Sequence, residues 1–457
     1  MEKLRLRQVA EATGGVLTAG DPETEIGEIS KDSRQAGEAA LFFALKGERY
    51  DAHMFLEDAA ASGCRNFVIS RPETVPNRAG LGVIRVEDTC EALQALARAY
   101  IRMFDVRKIG VTGSTGKTTT KDMLFRICRE KFKTVKSEGN LNNHIGLPLS
   151  AFSIERDTEV AIFEMGMDKA GEINFLAEIV RPQIGVITNV GVSHIENFAN
   201  REGILKAKME ITNYFSAEDA LVVYSDNDML SEGKTGGKYR LVRVGSGGRD
   251  DFVISGIEER GDKGSSFFLE HGADMEKFSL PMPGRHNVFN AAFAAAAASC
   301  LGVPISVAAK ALSKPVLSDG RLRIKGKDGM KIIDDTYNAS PDSMIAALDI
   351  LASVHGVRRI AILGDMLELG AGSPGYHRQI GAYAADKRTD ILIAVGDRAG
   401  DIAKGAKGNM PGARIFHYAS KKAAMPRITE LLTPGDVVLV KGSRAMAMEE
   451  IVKRILE

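Results

Sequence analysis

Residues 111–123, VTGSTGKTTTKDM, set glycines, a lysine and a run of threonines between an apolar segment that reads as a strand and a polar one that reads as a helix. A strand ending at Thr112 and a helix starting near Lys117 leave Gly113, Ser114, Thr115 and Gly116 as the turn. Backbone N–H groups in such a turn converge on an anion, and the helix N-terminus adds partial positive charge. Lys117 would reach the β- and γ-phosphates of a nucleotide, and the Thr118 hydroxyl would ligate Mg²⁺. The general pattern is GxxxxGK[ST]; here Val111 holds the first glycine position, with Gly110 one place early, so the loop is a variant. A glycine turn with a solvated lysine is the bland alternative, and the strand–loop–helix context weighs against it. Thr112, Gly113, Ser114, Thr115, Gly116, Lys117, Thr118 and Thr119 are therefore expected to cradle a nucleoside triphosphate, ATP foremost. A guanine-nucleotide switch is set aside: Asp168-Lys169-Ala170-Gly171 matches DxxG, but no NKxD follows.

Other side chains could converge on the phosphates. Glu164 ends the apolar run AIFEMG, and a strand-tip carboxylate suits Mg²⁺, which prefers oxygen ligands. His194 follows the next run in TNVGVSHIENF, just after Asn189, and reads equally as structural or catalytic. Lys206 and Lys208, in GILKAKMEI, read on their own as surface lysines on a helix. In GRHNVFN, Asn287 reads first as a helix N-cap, with a base-reading amide as the alternative. Asp334 and Asp335 close the strand KIID; they suit ribose hydroxyls or a cation, or serve as turn residues. Arg321, at the junction of the second and third domains, could swing onto a γ-phosphate or sit on the surface.

The elements that must position these groups follow from the chain as a whole. At 457 residues it predicts about three domains. Hydrophobic residues make up 44% and charged residues 26%, as in ordinary globular proteins. Lys plus Arg and Asp plus Glu balance at 60 each, so nothing draws the chain in bulk to nucleic acid or an anionic membrane. Four scattered cysteines without CxxC spacing point to a reducing compartment, and the N-terminus lacks a signal-peptide core. The most apolar stretch, AAFAAAAASCLGV, is too short to insert in a membrane. The expectation is a cytoplasmic monomer. Residues 1–100 form a small mixed α/β domain, closed by a helix within 86–104. Residues 101–315 form a central α/β mononucleotide-binding domain with buried parallel strands. Within it, 220–282 look antiparallel, with 258–266 as a hairpin loop. Residues 316–457 form a Rossmann-like α/β domain without a GxGxxG loop, so no dinucleotide is indicated.

The phosphate loop, EMG, TNVGVSHIENF, GRHNVFN and IDDTYNASPDS, in this order, resemble the Mur ligases, ATP-dependent amide ligases of peptidoglycan precursor synthesis. KDSR (31–34), EGNLNNHIGLP (138–148), LGDMLELG (363–370) and VLVKGS (438–443) narrow the resemblance to the branch that adds D-alanyl-D-alanine to UDP-N-acetylmuramoyl-tripeptide. The resemblance spans all three domains. It implies two Mg²⁺ ions, with Thr118, Glu164, His194 and Lys208 as metal-site residues and Lys117 on the phosphates. Lys208, fourteen residues past His194, matches a lysine the family carbamylates, which would turn a cation into an anionic oxygen ligand. The resemblance also places Asn287 and Asn290 on adenine, Asp335 on ribose and Arg321 near the γ-phosphate. Ser33, Arg34, Lys46, Asp51 and His53 would grip the UDP-sugar, with Asn140, Asn143 and His144 near the muramoyl-peptide. The third domain would bring the amine. Ser193 before His194, where Asp is frequent, and Ala52, where Gly is usual, are departures. Another amino-acid ligase of the series, or a folate polyglutamate ligase, is the nearest rival.

Overall fold

The short apolar runs that end near glycine become buried strands. Val160–Glu164 and Ile184–Ile187 are buried along their whole length, so neither shows the alternation of a half-solvated strand. They flank Arg107–Thr112 in parallel, which sets Glu164 opposite Val111 and Ile187 opposite Thr112. The helices Lys117–Cys128, Glu172–Val180 and Arg201–Met209 supply the long crossovers that parallel neighbours require. The computed structural model describes residues 1–47, 50–76, 78–315, 322–411 and 414–457.

These strands form the middle of a nine-stranded sheet. Its order is Asp274–Leu280, Ser265–His271, Phe252–Glu259, Arg240–Gly245, Ala220–Tyr224, Ile184–Ile187, Arg107–Thr112, Val160–Glu164 and Thr134–Lys136. The antiparallel expectation for 220–282 holds only beyond Phe252. Ala220–Tyr224 and Arg240–Gly245 join in parallel, because the 225–239 connection is long enough to cross over. Phe252–Glu259 and Ser265–His271 do form the hairpin expected around 258–266. The alanine-rich segment is the helix Arg285–Ser299, with Ala291 to Ala298 buried against the central sheet and the helix Lys117–Cys128. Small side chains allow that close approach, and among the described residues no helix is long and apolar enough to cross a membrane.

The N-terminal sheet has five strands in the order Val16–Ala19, Gly82–Arg85, Asn66–Ile69, Ala40–Phe43 and Glu28–Ser30. It is parallel except for its Val16–Ala19 edge. The C-terminal sheet has six strands in the order Arg323–Lys327, Met330–Asp334, Val437–Lys441, Arg359–Gly364, Ile391–Val395 and Ile415–Tyr418. Only its first pair is antiparallel.

The helix read within 86–104 spans Thr89–Ile101 and is capped by Asp88, whose carboxylate accepts from the Cys90 and Glu91 amides. Near its end Tyr100 joins the first unit to the second. Its hydroxyl donates to the Ile154 carbonyl at 2.7 Å and accepts from the Glu2 amide at 2.7 Å. Burial pushes the phenol up to about 12, so it stays a donor at any working pH. Tyr100→Phe strands a buried carbonyl; the expected loss is about 1–3 kcal/mol of stability, read as a lower urea midpoint. An unchanged midpoint would show that this joint contributes nothing.

Candidate active site

The turn after Thr112 can form only because two of its residues lack a Cβ. Gly113 has φ +150°, and a Cβ there would lie 1.8 Å from the Thr188 hydroxyl. Gly116, at φ +81°, precedes the helix Lys117–Cys128, and its Cβ would lie 2.4 Å from the Asn290 side-chain oxygen. Strand, loop and the Arg285–Ser299 helix are therefore in backbone-level contact. The amides of Ser114 and Thr115 both point at one oxygen, Asn189 Oδ1, at 3.1 and 3.0 Å. Two backbone donors converging on one oxygen form an anion-binding nest. Lys117 Nζ folds along the loop, donating to the Gly113 carbonyl at 2.7 Å.

Beside the loop, Glu164 is buried at its strand tip. Its Oε2 accepts from Thr118 Oγ1 at 2.8 Å and its Oε1 from Asn142 Nδ2 at 2.8 Å. A carboxylate and a hydroxyl meeting at this distance are the hard oxygen donors that Mg²⁺ takes, so the pair fits that ion. Among the described residues no group of three or more His, Cys, Asp or Glu makes a ready cage.

His194 and Lys208 stand apart from this pair in different ways. His194 Nδ1 lies 2.6 Å from Glu368 Oε2 and 3.2 Å from Asp168 Oδ1, so it faces acids from both the C-terminal and central units. The hydrogen bond from His194 holds Glu368 below the usual carboxylate range. Lys208 is not on the surface, as its isolated reading suggested: it is buried on the helix Arg201–Met209. Burial, then repulsion from Lys117, drives its ammonium well below the ordinary lysine value.

Asn287 is not the helix cap. The helix Arg285–Ser299 has Gly284 at its cap position, and Asn287 Nδ2 donates to the Pro283 carbonyl at 2.8 Å. Asn290 Nδ2 donates to Asn287 Oδ1 at 3.2 Å, and Thr120 Oγ1 donates to Asn290 Oδ1 at 3.3 Å. The two amides thus link the alanine helix to the phosphate-loop helix. Asp334 and Asp335 divide their tasks. Asp334 is buried against Lys325 and Thr336, whereas Asp335 faces the cleft with Oδ2 2.5 Å from the buried Lys441 ammonium. Arg321 lies outside the described residues.

One cavity of about 1890 Å³ joins these groups, walled by Lys117, Asn143, Glu164, His194, Asn290 and Asp335 among others. Asn140 and His144 also line it; Ser33, Arg34, Lys46, Asp51 and His53 do not. The Arg34 guanidinium is exposed and paired with Asp32 at 2.6 Å. Lys46 and Asp51 form an isolated antiparallel bridge. The His53 ring is buried, with Nδ1 2.6 Å from Asp51 Oδ1 and Nε2 accepting from the Ser70 amide at 2.9 Å. Both ring nitrogens are occupied within the fold, so His53 holds its turn in place. Asn142, Glu368, Lys441 and His286 all lie inside stretches the sequence singled out, EGNLNNHIGLP, LGDMLELG, VLVKGS and GRHNVFN, but only the fold shows what each of them touches.

His286 lies at the cleft beside Asp335 and Lys441, and burial lowers it from the usual 6.5 to about 4. Between those values the unfolded chain binds the proton and the folded chain does not, so stability falls as pH drops from 6.5 to about 4. His286→Gln is expected to flatten that part of the stability curve. NMR should show the ring neutral down to near pH 4; a ring titrating near 6.5 would refute the shift.

Comparison with known proteins places this geometry. Residues 25–101 match the model for the Mur ligase family catalytic domain, 111–298 the Mur ligase middle domain, and 320–444 the Mur ligase glutamate ligase domain. UDP-N-acetylmuramoyl-tripeptide--D-alanyl-D-alanine ligase of Bacillus subtilis (strain 168) is 38% identical, covering 100% of this chain and 99% of its own. The Escherichia coli (strain K12) ligase of the same name is 32% identical with the same coverage. A crystal structure of MurF from Acinetobacter baumannii superposes with a TM-score of 0.91 at 32% identity, covering 100% of this chain and 99% of that one. MurF from Thermotoga maritima, solved in complex with ADP, gives 0.81 at 27% identity, covering 93% and 96%. Mycobacterium tuberculosis folylpolyglutamate synthase, at 14% identity and 0.64 over 80% of this chain and 94% of its own, shares the fold alone.

Proposed function

The chain belongs to the Mur ligase family, and we propose that it is the ATP-dependent amide ligase joining D-alanyl-D-alanine to UDP-N-acetylmuramoyl-tripeptide, acting as a cytoplasmic monomer. The observation that carries the reading is the shared cavity. The phosphate loop, the Glu164–Thr118 pair, the loop bearing Asn140, Asn143 and His144, and Asp335 of the C-terminal unit all open onto or border it. The full-length relatives named for this activity supply the substrates. Residues 1–100 are assigned to the UDP-sugar, 101–315 to ATP and 316–457 to the incoming amine.

A carboxylate resists amine attack because it is anionic and its leaving group is poor. In the first step a carboxylate oxygen of the tripeptide attacks the γ-phosphorus and the bond to ADP breaks, leaving an acyl phosphate. The amine of D-alanyl-D-alanine then attacks the carbonyl carbon; phosphate departs, the amine loses a proton, and an amide remains. The Ser114 and Thr115 amides, now on Asn189, offer the same two donors to a phosphate oxygen. Lys117 adds a positive charge where the γ-phosphoryl moves. Thr118 and Glu164 would hold Mg²⁺, which when bound neutralises charge on the transferring group. Asn287 and Asn290 are assigned to adenine and Asp335 to ribose. His194 is assigned to a second Mg²⁺, and Arg321 to the γ-phosphate side on the resemblance alone. Joining the units around one cavity keeps water from the acyl phosphate.

The environment of Lys208 supports carbamylation. Burial and Lys117 favour its neutral amine, whose lone pair can attack CO₂. An N–C bond forms, a C=O electron pair moves onto oxygen, and a proton leaves to solvent. The resulting anion would relieve the repulsion with Lys117. A rival reading, folate polyglutamate ligation, is separated by testing acceptors, since ADP release should require both the UDP-tripeptide and the dipeptide.

Lys117→Ala is expected to abolish ligation while calorimetry still shows UDP-tripeptide binding; near-normal turnover would remove the phosphate-loop assignment. Lys208→Ala is expected to lose most activity and regain part of it with added short carboxylic acids. Full activity in that variant without added acid would dismiss the carbamate.

A further inference from the structure

Lys121 lies one turn beyond Lys117 on the phosphate-loop helix, with its side chain wholly buried. Its ammonium donates to the Gly139 carbonyl at 3.0 Å and stands 3.5 Å from Glu164 Oε2 and 3.7 Å from Asp122 Oδ1. Lys136 closes the set, 2.7 Å from Asp122 Oδ1. Glu164 and Asp122 thus balance Lys121 and Lys136, as buried charges require.

Gly139 belongs to the loop that presents Asn140, Asn143 and His144 to the cleft. Both oxygens of Glu164 are therefore connected to that loop. Oε1 takes the Asn142 amide directly at 2.8 Å, and Oε2 reaches the Gly139 carbonyl through Lys121. The Asn142 carbonyl in turn accepts from the Gly166 amide at 2.8 Å, just past the same strand tip. The buried ammonium has three N–H donors to satisfy, and the acceptor that takes one of them is a carbonyl of the loop on the acceptor side of the cleft. We propose that Lys121 is a positioning residue that couples the metal-side carboxylate Glu164 to the loop facing the acceptor peptide. The proposal rests on the ligase reading above. It gives the two halves of the reaction one mechanical connection: a displacement of the peptide-facing loop moves Glu164, and the reverse.

The test uses full-length Lys121→Met and Lys121→Arg beside the wild type. Mn²⁺ retention in the presence of ADP is followed by water-proton relaxation. UDP-N-acetylmuramoyl-tripeptide affinity is followed by calorimetry without nucleotide or metal. Lys121→Met is expected to weaken both, each by roughly 10–100-fold, as loss of a partner behind a metal ligand typically does. Lys121→Arg, which keeps the charge, is expected to recover part of both. A folded Lys121→Met that changes neither affinity, or only one of them, overturns the coupling. If Lys121→Met does not fold, Lys121→Gln is measured in its place and read by the same two outcomes. Wild-type protein that forms no ADP with both acceptors present would refute the ligase reading instead, while the two binding measurements still decide the role of Lys121.

Discussion

The turn from Thr112 into the helix Lys117–Cys128 is a point of closest approach. Thr188 lies against Gly113 and Asn290 against Gly116, in spaces no Cβ could share. That contact brings the strand, the phosphate-loop helix and the alanine-rich helix together at one place. It also aims the Ser114 and Thr115 amides at a common oxygen. Remove the two glycines and the helix N-terminus no longer faces the cleft. Everything assigned to the triphosphate depends on this steric condition.

Around the turn, charge is arranged so that little of it stays uncompensated. Glu164 is flanked by Thr118, Asn142 and Lys121, and Asp335 by Lys441. Lys208 is the exception: a buried lysine whose charged form is opposed first by desolvation and then by another cation, Lys117. In water such an arrangement would cost little, but inside the fold it is expensive. A group held out of its comfortable protonation state beside a phosphate site is the kind expected to undergo chemistry.

The cleft also joins units that the chain order separates. Glu368 of the C-terminal unit meets His194 of the central one, and Asp342 sits against Gly191 beside the phosphate loop. Desolvation on the cleft wall raises Asp342 above its ordinary value, although the residue stays exposed to the cleft. Gln94 of the first unit donates to the His144 carbonyl, tying that unit to the peptide-facing loop. A reaction with a water-sensitive intermediate benefits from such a multiply tied enclosure.

Much of this was legible in the residues alone. The strand–glycine–lysine–helix rhythm is local physics, because a positive φ and a strand-to-helix turn leave their mark in adjacent positions; Gly113, Gly116, Lys117 and Thr118 were found that way. Glu164 was found because a carboxylate closing an apolar run belongs at a strand tip, where a metal ion can meet it. The sheet around 220–245 was misread because hydrophobic pattern reports burial and not strand direction, which the crossover decides. Asn287 looked like a cap because its helix boundary depends on the preceding glycine's conformation. What the sequence determined by itself was the strand–glycine–lysine–helix loop, since it depends on neighbours a few residues away, whereas the class of chemistry came from the resemblance of motifs spread over all three domains. Only tertiary structure decided that Lys208 and Lys121 are buried, that Asn142 reaches Glu164 and that His194 meets Glu368. Those facts depend on distances between segments far apart in the chain, and no local spacing encodes them.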